Sequence, residues 1–493
     1  MDKMLVDSIG DITITNDGVT ILDEMDIKNP AAKMIVEISK TQKNEVGDGT
    51  TTSVIMGGEL LKKAEELLDS NIHPTIIAKG YKMAALKAQE ILSKLGQEIS
   101  VKEEAKLRQI ALTAMTSKNV TGNKEVFADL VVEAVLKVLE KEGNKYYFDS
   151  GNIKIEKKEG GLWTDTQLVD GIVIDKERVH SEMPRRVEDA NILLMDVAVE
   201  MDKPETDTKI SISSPDQLDA FLEQEDKFIR RMTDKIINSG ATAVFCQKGI
   251  DDSAQYYLAQ KGIYAARRVS KSDLEKLARA TGAKILSSLD GISKSDIGYA
   301  GAVFEKKLGT ENMTFIEKCK NPKAVTLVIR GGTEHVVKEV ERALNNSINS
   351  VACALTVGKV VPGGGAIELE VSRKLRSYSE GLSGKEQLAV KAFADALECI
   401  PKTLAENAGL DPIDILTDLK SKHDEGKEDA GLDVFVGKPA NMMKLGVIEP
   451  LKIKTQAIQS ASDTAIMLLR IDDVISAGEG KRPPMPPQGM PEY

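Results

Sequence analysis

Apolar positions early in the chain recur at helical spacing, as in Val54, Ile55, Leu60, Leu61 and Leu68, and predict long amphipathic helices rich in Ala, Leu, Lys and Glu. Short β-like pieces at 11–14 and 19–22 precede them, giving a mainly helical block over the first hundred residues. From about residue 151 the texture changes to β-rich runs at 152–156, 169–174 and 192–199 separated by charged turns. Between 241 and 286 strand and helix alternate: ATAVFC, a helix over 252–260, IYAARRV, a helix over 272–280, then AKIL. That order predicts an α/β layer. The strand AVTLVIRGG at 324–332 and a helix from about residue 334 lead back to helix-rich sequence through 386–407. The two ends share a texture that the middle lacks, which predicts one domain inserted into another with a connector on each side.

Within the middle, Ser214, Pro215, Asp216 and Gln217 form an S-x-x-Q helix start with Pro at the first helical position. Leu218, Phe221, Leu222, Phe228, Ile229, Met232 and Ile236 then place one apolar stripe on a very charged helix. Pattern alone leaves two readings open, a helix packed on its own domain and a protruding helix whose apolar tip meets partners.

Composition narrows the class. A chain of 493 residues at 41% hydrophobic supports several cores. A net charge of −11 with 4% aromatic residues argues against a nucleic-acid surface. Cys246, Cys319, Cys353 and Cys399 include no CxxC pair, and His73, His180, His335 and His423 are dispersed, so the spacing of a zinc site is absent and buried free thiols in a reducing compartment are expected. No apolar run reaches the length of a membrane span, and MDKMLVDSIGD has neither a basic leader nor an apolar core, so the expected location is cytoplasmic. The Pro- and Gly-rich residues after Ala477 read as a mobile tail, 478–493.

Candidate chemistry lies in three glycine loops. In EVGDGTTTS, Asp48 stands between Gly47 and Gly49 and is followed by Thr50, Thr51 and Thr52 at the start of a helix. Glycines let backbone N–H groups approach phosphate oxygens, a carboxylate recruits Mg²⁺, and a helix N-terminus favours an anion. A glycine turn that merely caps a helix is the competing reading. A second loop, ITNDGVT, sets Asp17 before Gly18, in a dipeptide common in hairpin turns, and a third, VVPGGGAIELE, offers Gly363, Gly364 and Gly365 before a helix. Neither GxxxxGK[ST] nor GxGxxG is present.

Taken together, MDKMLVDSIGDITITNDGVTIL, VGDGTTTSV, FCQKGIDD, VIRGGTEHVVKEVERAL, GGGAIELE, LAENAGLD and PLKIKTQAIQSA resemble archaeal group II chaperonins of the thermosome type, over nearly the whole chain to about Ala477. The resemblance implies an ATP-driven chaperone that encloses unfolded polypeptides in a double ring of like or mixed subunits, with ATP and Mg²⁺ as cofactors. It implies a multidomain α+β and α/β fold: an equatorial domain from 1–104 and 360–477, an intermediate domain from 105–172 and 325–359, and an apical domain, 173–324, with a lid protrusion at about 204–236. The protruding reading of the charged helix follows, with Leu218, Phe221 and Leu222 as lid or partner contacts.

By the same resemblance Asp48 matches a Mg²⁺ ligand, Gly49 with Thr50, Thr51 and Thr52 a phosphate loop, and Asp17 an aspartate that helps place the attacking water. Gly364 matches a glycine against the nucleotide sugar and Glu449 an acidic residue at the ribose; Gly18, Gly47 and Gly365 complete the nucleotide-binding set. Two departures stand out. Family members read RALxDA where this chain reads RALNNSINS, so Asn346 occupies the position of the water-activating aspartate, and an amide cannot accept a proton. Family members also carry a few dozen residues before MDKML, including a Leu-Gly-Pro-Lys-Gly phosphate loop, so the chain reads as N-terminally truncated. Both departures lead to an expectation of nucleotide binding with slowed or absent hydrolysis. The alternative is a non-hydrolysing structural or holdase subunit of mixed rings; a small-molecule kinase has no visible acceptor pocket.

Overall fold

The computed structural model describes residues 3–6, 10, 12–116, 124–143, 145–201, 215–309, 311–319 and 323–475, without the side chains of 216–218 and 220. The expected tail, residues 204–214 of the expected protrusion and the side chain of Leu218 therefore lie outside the described residues.

Both ends of the chain contribute to one helical core. Helices Thr50–Asp69, Pro74–Leu95, Ala366–Glu380, Glu386–Leu397 and Leu451–Leu468 bury their apolar stripes together around Tyr81 and Phe393, whose rings meet edge to face at 5.6 Å. The Tyr81 hydroxyl donates to the Leu60 carbonyl oxygen at 2.7 Å, so the buried ring leaves no polar atom unmet. Gly80 allows the closest approach, because a Cβ there would lie 2.4 Å from Cβ of Ala389.

A second core joins helices Glu104–Thr116, Lys124–Val138 and Glu334–Val357 to a three-stranded sheet. Its central strand, Val325–Gly331, runs parallel to Ile153–Glu159 and antiparallel to Gln167–Val169. Val325, Leu327 and Ile329 face the helices, while Val328 faces the opposite side beside Met313 and Phe315, as the two-residue period of a strand requires.

The middle of the chain forms a seven-stranded mixed sheet ordered Tyr264–Ala266, Ala243–Cys246, Arg186–Met195, Gly298–Leu308, Glu311–Glu317, Gly171–Ile174, with Ile285–Leu286 also paired to Arg186–Met195. Ile192 and Leu194 pack with the helix Lys271–Thr281, and Leu193 and Met195 with the helix Pro215–Asn238. From Ile192 to Met195 both faces of this strand are buried, which explains the continuous apolar run ILLM there, while its start at 186–189 is largely exposed and charged.

Several local expectations change. Residues 19–22 are not β-like: Gly18–Glu24 is helical, because the Asp17 carboxylate accepts from the N–H and hydroxyl of Thr20 and caps the first turn. That cap also rules out a hairpin turn at Asn16–Gly18; the strand Ile12–Thr15 pairs antiparallel with Lys3–Val6 before it. The expected strand at 192–199 runs instead over Arg186–Met195, its start set by pairing with Gly298–Leu308. Among the described residues no helix is long and apolar enough to cross a membrane, and no group of His, Cys, Asp and Glu could hold a metal on its own. The four cysteines are free and buried, and burial pushes the Cys353 thiol up to about 11.

Candidate functional site

The loop at Asp48 is made by the end of one helix and the start of the next. Gly47 ends the helix Pro30–Val46 in the left-handed region at φ 77°, donating to the carbonyls of Gln42 and Lys43. Gly49, at φ 75°, opens the helix Thr50–Asp69 with no side-chain cap, which leaves the first-turn N–H groups for a ligand. Between them, one oxygen of Asp48 accepts from the Gly49 N–H at 2.9 Å, and the other meets no partner among the described residues. The Gln42 side-chain amide, fully buried, donates to the Asp48 carbonyl at 2.9 Å and to the Ile453 carbonyl at 3.1 Å, tying the loop to the C-terminal end of the chain.

The loop carrying Asp17 packs onto this one. A Cβ on Gly18 would lie 2.3 Å from the Thr51 hydroxyl oxygen, so glycine is required where the two loops meet. Asp17 is 8% exposed, held by Thr20 and by the Lys43 ammonium at 3.7 Å. The third loop arrives from the strand Lys359–Pro362, and Gly365, at φ 77°, opens the helix Ala366–Glu380, again without a side-chain cap. Gly363 sits so close to Glu449 that a Cβ would lie 2.8 Å from its carboxylate, and Gly364 abuts Met442 and the Leu432 carbonyl.

Glu449 belongs to a buried ion triad. The Lys454 ammonium lies 2.7 Å from Glu449 and 2.9 Å from Glu368, with side-chain exposures of 8%, 22% and 2% for Lys454, Glu449 and Glu368. Burial pushes the Glu449 carboxyl up, Lys454 opposes that, and the nearby carboxylates of Glu368 and Asp48 add to it. Gln42, by its bond to Ile453 next to Lys454, ties the Asp48 loop to this triad. Lys454 is held above the ordinary lysine value because its two carboxylates outweigh its burial.

Asn346 lies on the helix Glu334–Val357, which packs against Pro30–Val46, Ile12–Thr15 and Leu451–Leu468. It is 8% exposed and precedes by one turn Asn349, whose side chain would be struck at 2.5 Å by a Cβ on Gly47. The structure thus gathers Asp17, Gly18, Gly47, Asp48, Gly49 and Thr50–Thr52, with Asn346 on the helix beside them, and separately sets Gly364 and Gly365 on the third loop beside Glu449 of the strand Ile448–Pro450. Phe221 and Leu222 are remote from this site; Leu222 is 50% exposed and Phe221 half-buried.

Sequence reading missed Gln42, Glu368 and Lys454. Lys454 had a usable signal, a charge among Leu451, Ile453, Ala457 and Ile458 on a buried stripe, which demands a buried counter-charge.

Comparison with known proteins agrees with the architecture. The TCP-1/cpn60 chaperonin family matches residues 1–479. The chain is 58% identical over 479 residues to a thermosome subunit of Methanopyrus kandleri, covering 97% of this chain and 88% of that one. It is 59% identical over 477 residues to thermosome subunit alpha of Archaeoglobus fulgidus, with the same coverage of 97% and 88%. An open-state monomer of a group II chaperonin from Methanococcoides burtonii superposes with a TM-score of 0.67 at 48% identity, over 86% of this chain and 100% of that one. The chain belongs to the TCP-1/cpn60 chaperonin family. It is a subunit of a double-ring chaperonin, an ATP-dependent chaperone that binds unfolded proteins and an ATPase by family.

Proposed function

We propose that Mg²⁺-ATP binds where the three glycine loops meet, and that this subunit holds nucleotide more readily than it turns it over. The observation that carries the reading is the pair of long helices, Thr50–Asp69 and Ala366–Glu380, each opened by a left-handed glycine without a side-chain cap, together with the Asp48 oxygen at the start of the first that meets no partner among the described residues. Uncapped N–H groups and a free carboxylate oxygen are the donor set a metal-bound polyphosphate requires.

In this reading Asp48 holds Mg²⁺, while Gly47, Gly49 and Thr50–Thr52 receive phosphate oxygens through N–H and hydroxyl donors. Gly18 keeps the neighbouring loop close, Gly364 and Gly365 line the sugar side, and Glu449, aimed by Lys454, takes the ribose hydroxyls. Asp17 and Asn346 face the hydrolytic water. When bound, Mg²⁺ supplies charge stabilisation to the transferring phosphoryl group. Asn346 can orient that water but cannot take its proton, which favours the second reading, a weakly hydrolysing or structural member of mixed rings.

We further propose domain limits of 1–104 with 360–477, 105–172 with 325–359, and 173–324, which the separate cores support although Ile99, Val360 and Ile448 pack into the second of them, and a cytoplasmic location, which suits four free thiols. The test is calorimetric titration of the subunit with ATP, with and without Mg²⁺, beside Asp48→Ala. Mg²⁺ is expected to strengthen binding at least tenfold in the parent and not in the variant. Equal Mg²⁺ dependence in both removes the reading.

A further inference from the structure

Away from the glycine loops, a cleft of about 340 Å³ lies between the strand Val325–Gly331 and the hairpin Gly298–Leu308/Glu311–Glu317. Arg330 lines it and is 9% exposed, yet its Nε and Nη1 atoms meet no acceptor. It forms no ion pair among the described residues, although its backbone N–H is satisfied by the Thr166 hydroxyl at 3.2 Å. A buried guanidinium without a counter-charge is strongly unfavourable unless something else supplies the acceptors.

The surroundings are basic. Lys306 and Lys307, both exposed, line the same cleft, and Lys158, the register partner of Arg330 on the adjacent strand, is already neutralised by Asp175 and Glu311. Asp165 is the one carboxylate in the lining. It accepts from the Leu162 N–H at 2.9 Å and makes no ion pair with Arg330. Net positive charge, a planar donor fork and room for a small molecule therefore coincide.

We propose that this cleft binds a phosphate-type oxyanion, gripped by Arg330 and flanked by Lys306 and Lys307. The anion would join the three-stranded sheet to the hairpin of the seven-stranded one, so its binding braces the junction between two cores. Its source is free inorganic phosphate or the phosphate tail of a nucleotide.

Thermal unfolding and calorimetry of the full chain, in phosphate-free buffer and with added inorganic phosphate or ADP, test this on the parent, Arg330→Met and the Lys306→Gln/Lys307→Gln double variant. Inorganic phosphate also reaches the glycine loops, so the readout is the difference between parent and Arg330→Met. The expected result is at least tenfold weaker phosphate binding in Arg330→Met and a few-fold loss in the double lysine variant. Without phosphate, Arg330→Met is expected to melt no lower than the parent, because it removes an uncompensated charge; that also shows that the variant folds. A difference seen with ADP alone assigns the site to a nucleotide phosphate, and one seen with inorganic phosphate to the free ion. Identical titrations of parent and Arg330→Met with both probes overturn the proposal.

Discussion

Replacing Asn346 by Asp tests the division between binding and turnover most directly. The position is 8% exposed, on a helix whose next turn, at Asn349, contacts Gly47 of the Asp48 loop. A carboxylate there gains the proton acceptor that the amide lacks, and its burial raises its pKa toward neutrality, where a general base is most effective. A positioned base contributes about 10²- to 10⁴-fold, or roughly 3–5 kcal/mol of barrier. Burying a new charge costs about 1–3 kcal/mol of stability unless the metal site offsets it. Single-turnover hydrolysis of ATP is therefore expected to be about 10²-fold or more faster in Asn346→Asp, with ATP affinity within a few-fold of the parent because the Asp48 loop is unaltered. Asn346→Ala, which also loses the ability to orient water, is expected to bind ATP and hydrolyse it more slowly than the parent. Equal, fast hydrolysis in the parent and in Asn346→Asp refutes the reasoning, since proton acceptance at this position would then be immaterial.

Three further outcomes follow from the packing. Lys454→Met leaves Glu368 and Glu449 buried without their shared cation and is expected to cost about 3–5 kcal/mol in denaturant unfolding, a loss that Glu368→Gln partly restores in the double variant. Burial pushes the Glu370 carboxyl up from 4.5, but hydrogen bonds from His423 and Arg373 outweigh it and hold it at about 2. Its folded pKa is thus depressed, so its stabilisation is complete above about pH 4.5 and is lost as pH falls toward 2; acid unfolding of Glu370→Gln is expected to show a shallower loss across that window. On the helix Pro215–Asn238, Ile229 and Ile236 are buried while Leu222 is 50% exposed, so Ile229→Ala is expected to cost about 2–4 kcal/mol and Leu222→Ser less than about 0.5 kcal/mol. We propose that Leu222 is nevertheless a lid contact, so ATP-dependent protease protection of the assembled ring is expected to fall in Leu222→Ser, and unchanged protection removes that proposal.

Much of the fold was legible because its signals are local. The helix at 252–260 matches Asp252–Gln260, where Asp251 caps the first turn, and the α/β alternation from 241 to 286 follows from short apolar runs between amphipathic stripes. The stretch at 19–22 misled because VTIL is β-favouring by composition, whereas the capping bonds that Thr20 donates to the Asp17 carboxylate decide the backbone. The charged helix at 215–238 was ambiguous for a real reason: its stripe is split, with Ile229 and Ile236 in a core and Leu222 and Phe228 exposed. In the candidate site the three glycine loops announced themselves, while Gln42 and Glu368 did not, because one of Gln42's two acceptors, Ile453, and the cation facing Glu368, Lys454, lie far away in the chain.

That distance has a physical consequence. Gln42 and Ile453 are separated by 411 residues, yet one amide bridges the Asp48 carbonyl and the Ile453 carbonyl. Glu449 likewise reaches Gly363 and, through Lys454, Glu368 on the helix after the third loop. The Asp48 loop has its glycines and capping geometry locally, but its position relative to the other two loops depends on residues near the far end of the chain. Closing so long a loop carries an entropic cost that only the completed helical core around Tyr81 and Phe393 can offset. The site is therefore assembled by the same packing that unites the two chain ends, which is why a glycine motif read alone is weak and the same motif set in this core is specific.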